Sequence, residues 1–75
     1  KQKPIEEYAD LNERQKKCIE FLKKHKSIKT KKYEEMNNTS FGTAIADIKE
    51  LLKFKYIKKV GSYRGAYYVL NEEER

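Results

Sequence analysis

The chain has little of what small domains use as staples. Its one cysteine, Cys18, cannot form an internal disulfide, and one histidine beside one cysteine cannot build a zinc site. That fits a reducing compartment and a cytoplasmic location, with no metal or other cofactor. No apolar run reaches the roughly 18 residues that span a bilayer, and no signal-peptide pattern is present. Three glycines, Gly42, Gly61 and Gly65, are too few and too scattered for a phosphate-cradling loop. Ser27, Ser40 and Ser62 sit in no nucleophile elbow, and His25 has no acid at motif spacing. The chain reads as a non-enzyme without a small-molecule substrate.

What remains is charge and a modest apolar set. Seventy-five residues make one domain, and 40% charged against 37% hydrophobic residues leaves only a small core. Such a core rarely nets more than roughly 3–5 kcal/mol. Nine aromatics, six Tyr and three Phe, argue against disorder. The net charge is +6. Setting aside the two ends (Lys1, Lys3 and Arg75 among the bases, Glu6, Glu7, Asp10 and Glu72 to Glu74 among the acids) leaves 15 bases and 6 acids over Leu11 to Leu70. The expected folded part is therefore more basic than the whole, and its partner is anionic. A membrane surface fits poorly, because the basic residues are not gathered on one amphipathic helix.

Residues 1–10 read as a linker or flexible segment, 11–70 as the domain and 71–75 as an acidic tail. The opening on Lys1 suggests a piece of a longer protein. The first helix begins after Asn12, whose pairing with Gln15 makes a capping box, and places Cys18, Ile19 and Leu22 inward. It ends near Lys24 to Lys26, with Phe21 at the stripe's edge and His25 as an exposed cap. Ser27-Ile28-Lys29 follows as a short strand, too short for more than an isolated bridge-like one, with Ile28 inward. Thr30 caps a second helix over Lys31 to Met36, with Tyr33 and Met36 on its inner face. Asn37-Asn38-Thr39 makes a turn, and Ser40 caps a third helix over about Phe41 to Phe54.

On that third helix Phe41, Ala44, Ile45, Ile48, Leu51 and Leu52 share a stripe about 120° wide, the expected core side. Gly42, Ala46, Lys49 and Lys53 line an adjoining exposed side. The period then changes: Tyr56 to Val60 and Ala66 to Leu70 are strands joined by Gly61-Ser62-Tyr63-Arg64-Gly65. Tyr68 and Leu70 point one way, Tyr67 and Val69 the other. The predicted class is α+β: three helices, a short strand after the first, and a closing hairpin.

That order describes a winged helix-turn-helix. Leu11-Asn12-Glu13-Arg14-Gln15, the run Thr43 to Leu51, Tyr56 to Gly61 and Arg64 to Leu70 resemble the winged-helix domain that closes many bacterial Fic-family proteins and RecG-helicase-related transcriptional regulators. DeoR-type repressors carry a comparable module. The resemblance implies binding of double-stranded DNA as part of a larger bacterial regulatory protein; with few base-reading side chains a lone module binds weakly, so pairing through a dimeric parent is expected. Lys31 to Met36 would position Ser40 to Phe54 in the major groove, and Ser62, Tyr63 and Arg64 would form the wing tip near a phosphate or the minor groove. Relatives carry Arg or Lys just after the Ser40 cap and two residues after the Ala44 position. This chain has Phe41-Gly42 and Ala46, so bidentate Arg–guanine contacts are unavailable there.

Each feature has two readings. Small Gly42 and Ala46 let the helix backbone approach DNA while Lys49 and Lys53 meet phosphates, Ser40 and Thr43 hydrogen-bond, and Phe41 touches a thymine methyl; or the same face packs on another protein or is simply solvated. Lys31, Lys32, Lys58 and Lys59 bind phosphates non-specifically or are ordinary surface. The competing class of function is a protein-interaction or dimerisation winged helix without DNA readout. Cys18 reads as a small core residue, and one ring of the Tyr67-Tyr68 pair as core.

Overall fold

The computed structural model describes residues 11–62 and 65–71. Three helices, α1 (Glu13–Lys24), α2 (Thr30–Asn37) and α3 (Phe41–Lys53), are followed by strands β1 (Ile57–Val60) and β2 (Tyr67–Leu70). The strands pair antiparallel from Ile57↔Leu70 to Val60↔Tyr67. This is an α+β layout compatible with a winged helix. Expectations placed on residues 1–10, on Tyr63 and Arg64, and on 72–75 lie outside the described residues.

Local chemistry sets most of the boundaries. The Asn12 side chain accepts from the Gln15 N–H at 2.8 Å, and the Gln15 side chain accepts from the Asn12 N–H at 2.9 Å, closing the expected capping box. α1 ends at Lys24, with exposed His25 as its C-cap. Asn38, at φ 50°, takes the left-handed conformation that ends α2, and Lys55, at φ 65°, does the same after α3. In both places the paired backbone bonds are of the Schellman type: Thr39 N–H to Glu34 O, and Tyr56 N–H to Leu51 O.

Several expectations change. Among the described residues no strand lies between α1 and α2, and the stretch goes no further than the expected bridge. Ile28 alone makes an isolated bridge to Tyr68, through bonds of 2.9 and 2.8 Å in the two directions. Only five residues separate the two helices, and both flanking helices pull the chain away from the hairpin, so one residue is all that stays in register. Thr30 is the first residue of α2 and not its cap; Lys29 takes that place and offers no side-chain acceptor. The strands are each one residue shorter than expected, without Tyr56 and Ala66.

The core gathers Leu11, Cys18, Ile19, Leu22, Ile28, Tyr33, Ala44, Ile48, Leu51, Ile57 and Tyr68, with Phe21, Met36, Leu52, Tyr56 and Leu70 packed at its margin. Tyr68 turns inward and Leu70 follows it on the same face, as alternation requires. Phe41, expected inside, is 61% exposed, while Asp47 is buried. The two facts are one event. The buried set Ala44, Asp47, Ile48 and Leu51 is centred about 50° around α3 from the stripe read off hydrophobicity alone. Phe41, Ile45 and Leu52 thereby move to the margin or beyond it.

A polar lock allows that roll. The Asp47 carboxylate accepts from Asn12 Nδ2 at 3.0 Å, Arg14 Nε at 2.6 Å, Arg14 Nη2 at 3.2 Å and Tyr33 Oη at 2.9 Å. Gln15 Nε2 adds bonds to the Asp47 carbonyl at 3.1 Å and to Glu50 Oε1 at 2.8 Å. Burial by itself would raise the Asp47 pKa and is the largest single influence. The hydrogen bonds from Arg14, Asn12 and Tyr33, with the Arg14 charge, outweigh it and hold the carboxyl below its ordinary value. Burial, then the bond to Asp47, pushes the Tyr33 phenol far up. The Cys18 thiol is pushed up to about 12, first by burial and then by the Asp47 charge, so it is an inert core group.

Candidate nucleic-acid interface

The roll of α3 also decides what its outer side presents. Gly42, Ala46, Lys49 and Lys53 are all exposed. With the buried set repositioned, their mean direction lies about 180° from the core, where the hydrophobic pattern had put them merely beside it. They point straight outward. A Cβ placed on Gly42 would meet nothing within 4 Å, so the fold itself does not require a glycine there. Neither Lys49 nor Lys53 has an ion-pair partner among the described residues.

At the start of the helix, the Ser40 hydroxyl accepts from the Thr43 N–H and donates to Thr43 Oγ1, both at 3.2 Å. Ser40 is thus a helix cap first, as expected, and its hydroxyl is already engaged with its neighbour. Phe41 stands next to it in solvent. This end of α3 presents one aromatic ring, one glycine and two hydroxyls, with no cationic side chain between Ser40 and Asp47.

The other expected contacts separate into two groups. Lys31 from α2, Lys59 from β1 and Ser62 from the connecting loop line one cleft, together with Lys29 and Thr30. Lys32 belongs elsewhere: its Nζ lies 5.6 Å from the centroid of the Phe21 ring, which stacks on His25 at 4.2 Å. Lys58 neighbours Lys59 in the strand, so the two side chains leave the hairpin on opposite faces. The four lysines do not form a single patch. Sequence reasoning missed Lys29 and Thr30, because what brings them to the hairpin is the Ile28–Tyr68 bridge, a contact between residues forty positions apart.

A second groove, of about 500 Å³, runs along the outside of α1. Phe21 and Met36 form its apolar part, and Glu13 and Glu20 alternate with Lys16, Lys17 and Lys24 along it. Glu13 and Glu20 pair with Lys16 at 3.9 Å and Lys23 at 3.5 Å, so this side carries mixed charge. Among the described residues no helix is long and apolar enough to cross a membrane. The chain matches no family model, no curated protein and no solved structure.

Proposed function

We propose that the chain is a winged helix-turn-helix module that binds double-stranded DNA within a larger, cytoplasmic bacterial regulatory protein, acting by binding and not by catalysis. α3 enters the major groove with Gly42 and Ala46 closest to the duplex. Lys49 and Lys53 meet flanking phosphates, and the hairpin loop lies beside the backbone. The observation that carries this reading is the outward side of α3: small at its N-terminal half, doubly basic at its C-terminal half, and opposite the core. A helix N-terminus without arginine reads few bases, so affinity is mainly electrostatic and pairing through a dimeric parent supplies the rest.

The test is a chemical-shift titration with random duplex DNA at low salt. Shifts concentrated on α3 and near Ser62 are expected. With about four to six phosphates neutralised, log K falls against log salt with a slope of about −4 to −5. The double variant Lys49→Glu/Lys53→Glu keeps the fold and loses binding; undiminished affinity in that variant refutes the geometry. A second reading, a protein-interaction or dimerisation domain, is favoured by Phe41 at 61% exposure and Phe54 at 45%. It predicts no response to duplex, with concentration-dependent line broadening centred on Phe41.

A further inference from the structure

Among the described residues, the cleft between the start of α2 and the hairpin carries charge of one sign only. The hollow lined by Lys23, Lys24, His25 and Lys26 does too, but Lys23 there is paired with Glu20 and no described hydroxyl lines it. The cleft measures about 510 Å³ and is lined by Lys29, Thr30, Lys31, Lys59 and Ser62, with Ala66 and Tyr68. No acid among the described residues lines it, and none of its three lysines has an ion-pair partner among them. The groove along α1, by contrast, interleaves Glu13 and Glu20 with its lysines.

The backbone fixes this convergence. Ile28 is bridged to Tyr68, and Tyr68 is the register partner of Lys59, so the three lie in one row across the hairpin. Residues directly opposite one another share a face, which sends Lys59 to the same side as the buried Tyr68. That is the side on which α2 begins. Lys29 follows Ile28 immediately and Lys31 lies two residues further on. Three lysines from two separate parts of the chain thereby line one opening, together with Thr30 and Ser62.

We infer that this cleft is a phosphoryl-binding site, taking one phosphate group among Lys29, Lys31 and Lys59 with Thr30 and Ser62 as hydrogen-bond donors. The shared chemistry is a phosphate dianion or diester, carried either by a nucleic-acid backbone or by a free phosphorylated ligand. Lysine serves here as a mobile point charge that needs no planar partner, which suits phosphate and gives no base readout. The cleft rests on the DNA reading only for the first of those sources. On that source it anchors the register of the duplex through α2 and the hairpin, apart from the side of α3 that faces the groove.

Two-dimensional amide spectra of the chain, titrated separately with inorganic phosphate and with a 12-base-pair random duplex, test it. Lys29→Gln and Lys59→Gln are the variants, Lys24→Gln the control outside the cleft, and circular dichroism confirms that each folds. Inorganic phosphate is expected to shift the amides around Lys29, Thr30, Lys31, Lys59 and Ser62 saturably, and each cleft variant to remove that response while the control keeps it. If the duplex shifts the same amides and each cleft variant lowers its salt slope by about 1, the backbone is the source. If phosphate saturates the cleft and the duplex leaves the whole chain unmoved, the cleft stands with a free phosphorylated ligand and the DNA reading falls. If the duplex binds through α3 while phosphate gives only weak, unsaturable shifts at every lysine and the cleft variants behave like Lys24→Gln, the inference is overturned and the DNA reading survives.

Discussion

Asp47→Ala is the substitution that most directly tests how this fold is held. It removes the acceptor for four hydrogen bonds from three residues on two helices and the segment before α1. The Tyr33 hydroxyl suffers most: Tyr33 is fully buried, and stranding a buried donor costs about 1–3 kcal/mol. The Arg14 side chain reaches water, which largely makes up for its lost partner, so the cost falls mainly on Tyr33 and Asn12 and lies toward the upper end of that range. A loss of about 3 kcal/mol is comparable with the roughly 3–5 kcal/mol that a core of this size supplies. Urea unfolding followed by circular dichroism should therefore show the variant close to its midpoint without denaturant. Its Tm should fall by about 12–24 °C. Tyr33→Phe in the same background removes the stranded hydroxyl and should recover about 1 kcal/mol, making the pair non-additive. A loss under about 1 kcal/mol for Asp47→Ala, or strict additivity with Tyr33→Phe, would falsify the lock as the reason α3 is rolled.

The same carboxylate gives the fold an acid limit. Its folded pKa lies below the unfolded value of about 4, so between the two the unfolded chain binds the extra proton and stability rises with pH. The contribution is complete above about pH 4 and disappears as pH falls through the lowered folded value; a pH series on the wild type should show this, and Asp47→Asn should lack that step. Gly42→Ala separates fold from function. The added methyl meets open space, and replacing glycine in a helix gains about 0.5–1 kcal/mol, so Tm should rise. If the helix backbone sits against DNA, duplex affinity drops in this stabilised variant; equal affinity would show that small size at this face has no part in binding.

The order of elements was open to reading because it depends on neighbours in the chain. Asn12 with Gln15, Ser40 with Thr43, and the left-handed Asn38 act over three or four residues, and the Tyr-rich alternation of the last strand has a period visible without any partner. The outward α3 side was legible for the same reason, as a helical period. Lys29, by contrast, carried no local signal: it is one lysine among many until Ile28 is bridged to Tyr68. Lys31 and Lys32 look equivalent in sequence, yet one lines the cleft and the other lies over Phe21, because α2 turns successive residues to different sides.

The sequence alone determined the element order, the caps of α1 and α3, the basic surplus and most of the apolar core, since these follow from residue type and spacing along one chain. The tertiary structure decided the rotation of α3, the burial of Asp47, the exposure of Phe41 and the gathering of three lysines at one cleft. A hydrophobic stripe ranks side chains one at a time by their affinity for water. Whether a carboxylate is tolerated inside depends on donors from Asn12, Arg14 and Tyr33, which lie 35, 33 and 14 positions away and meet it only when the chain is folded.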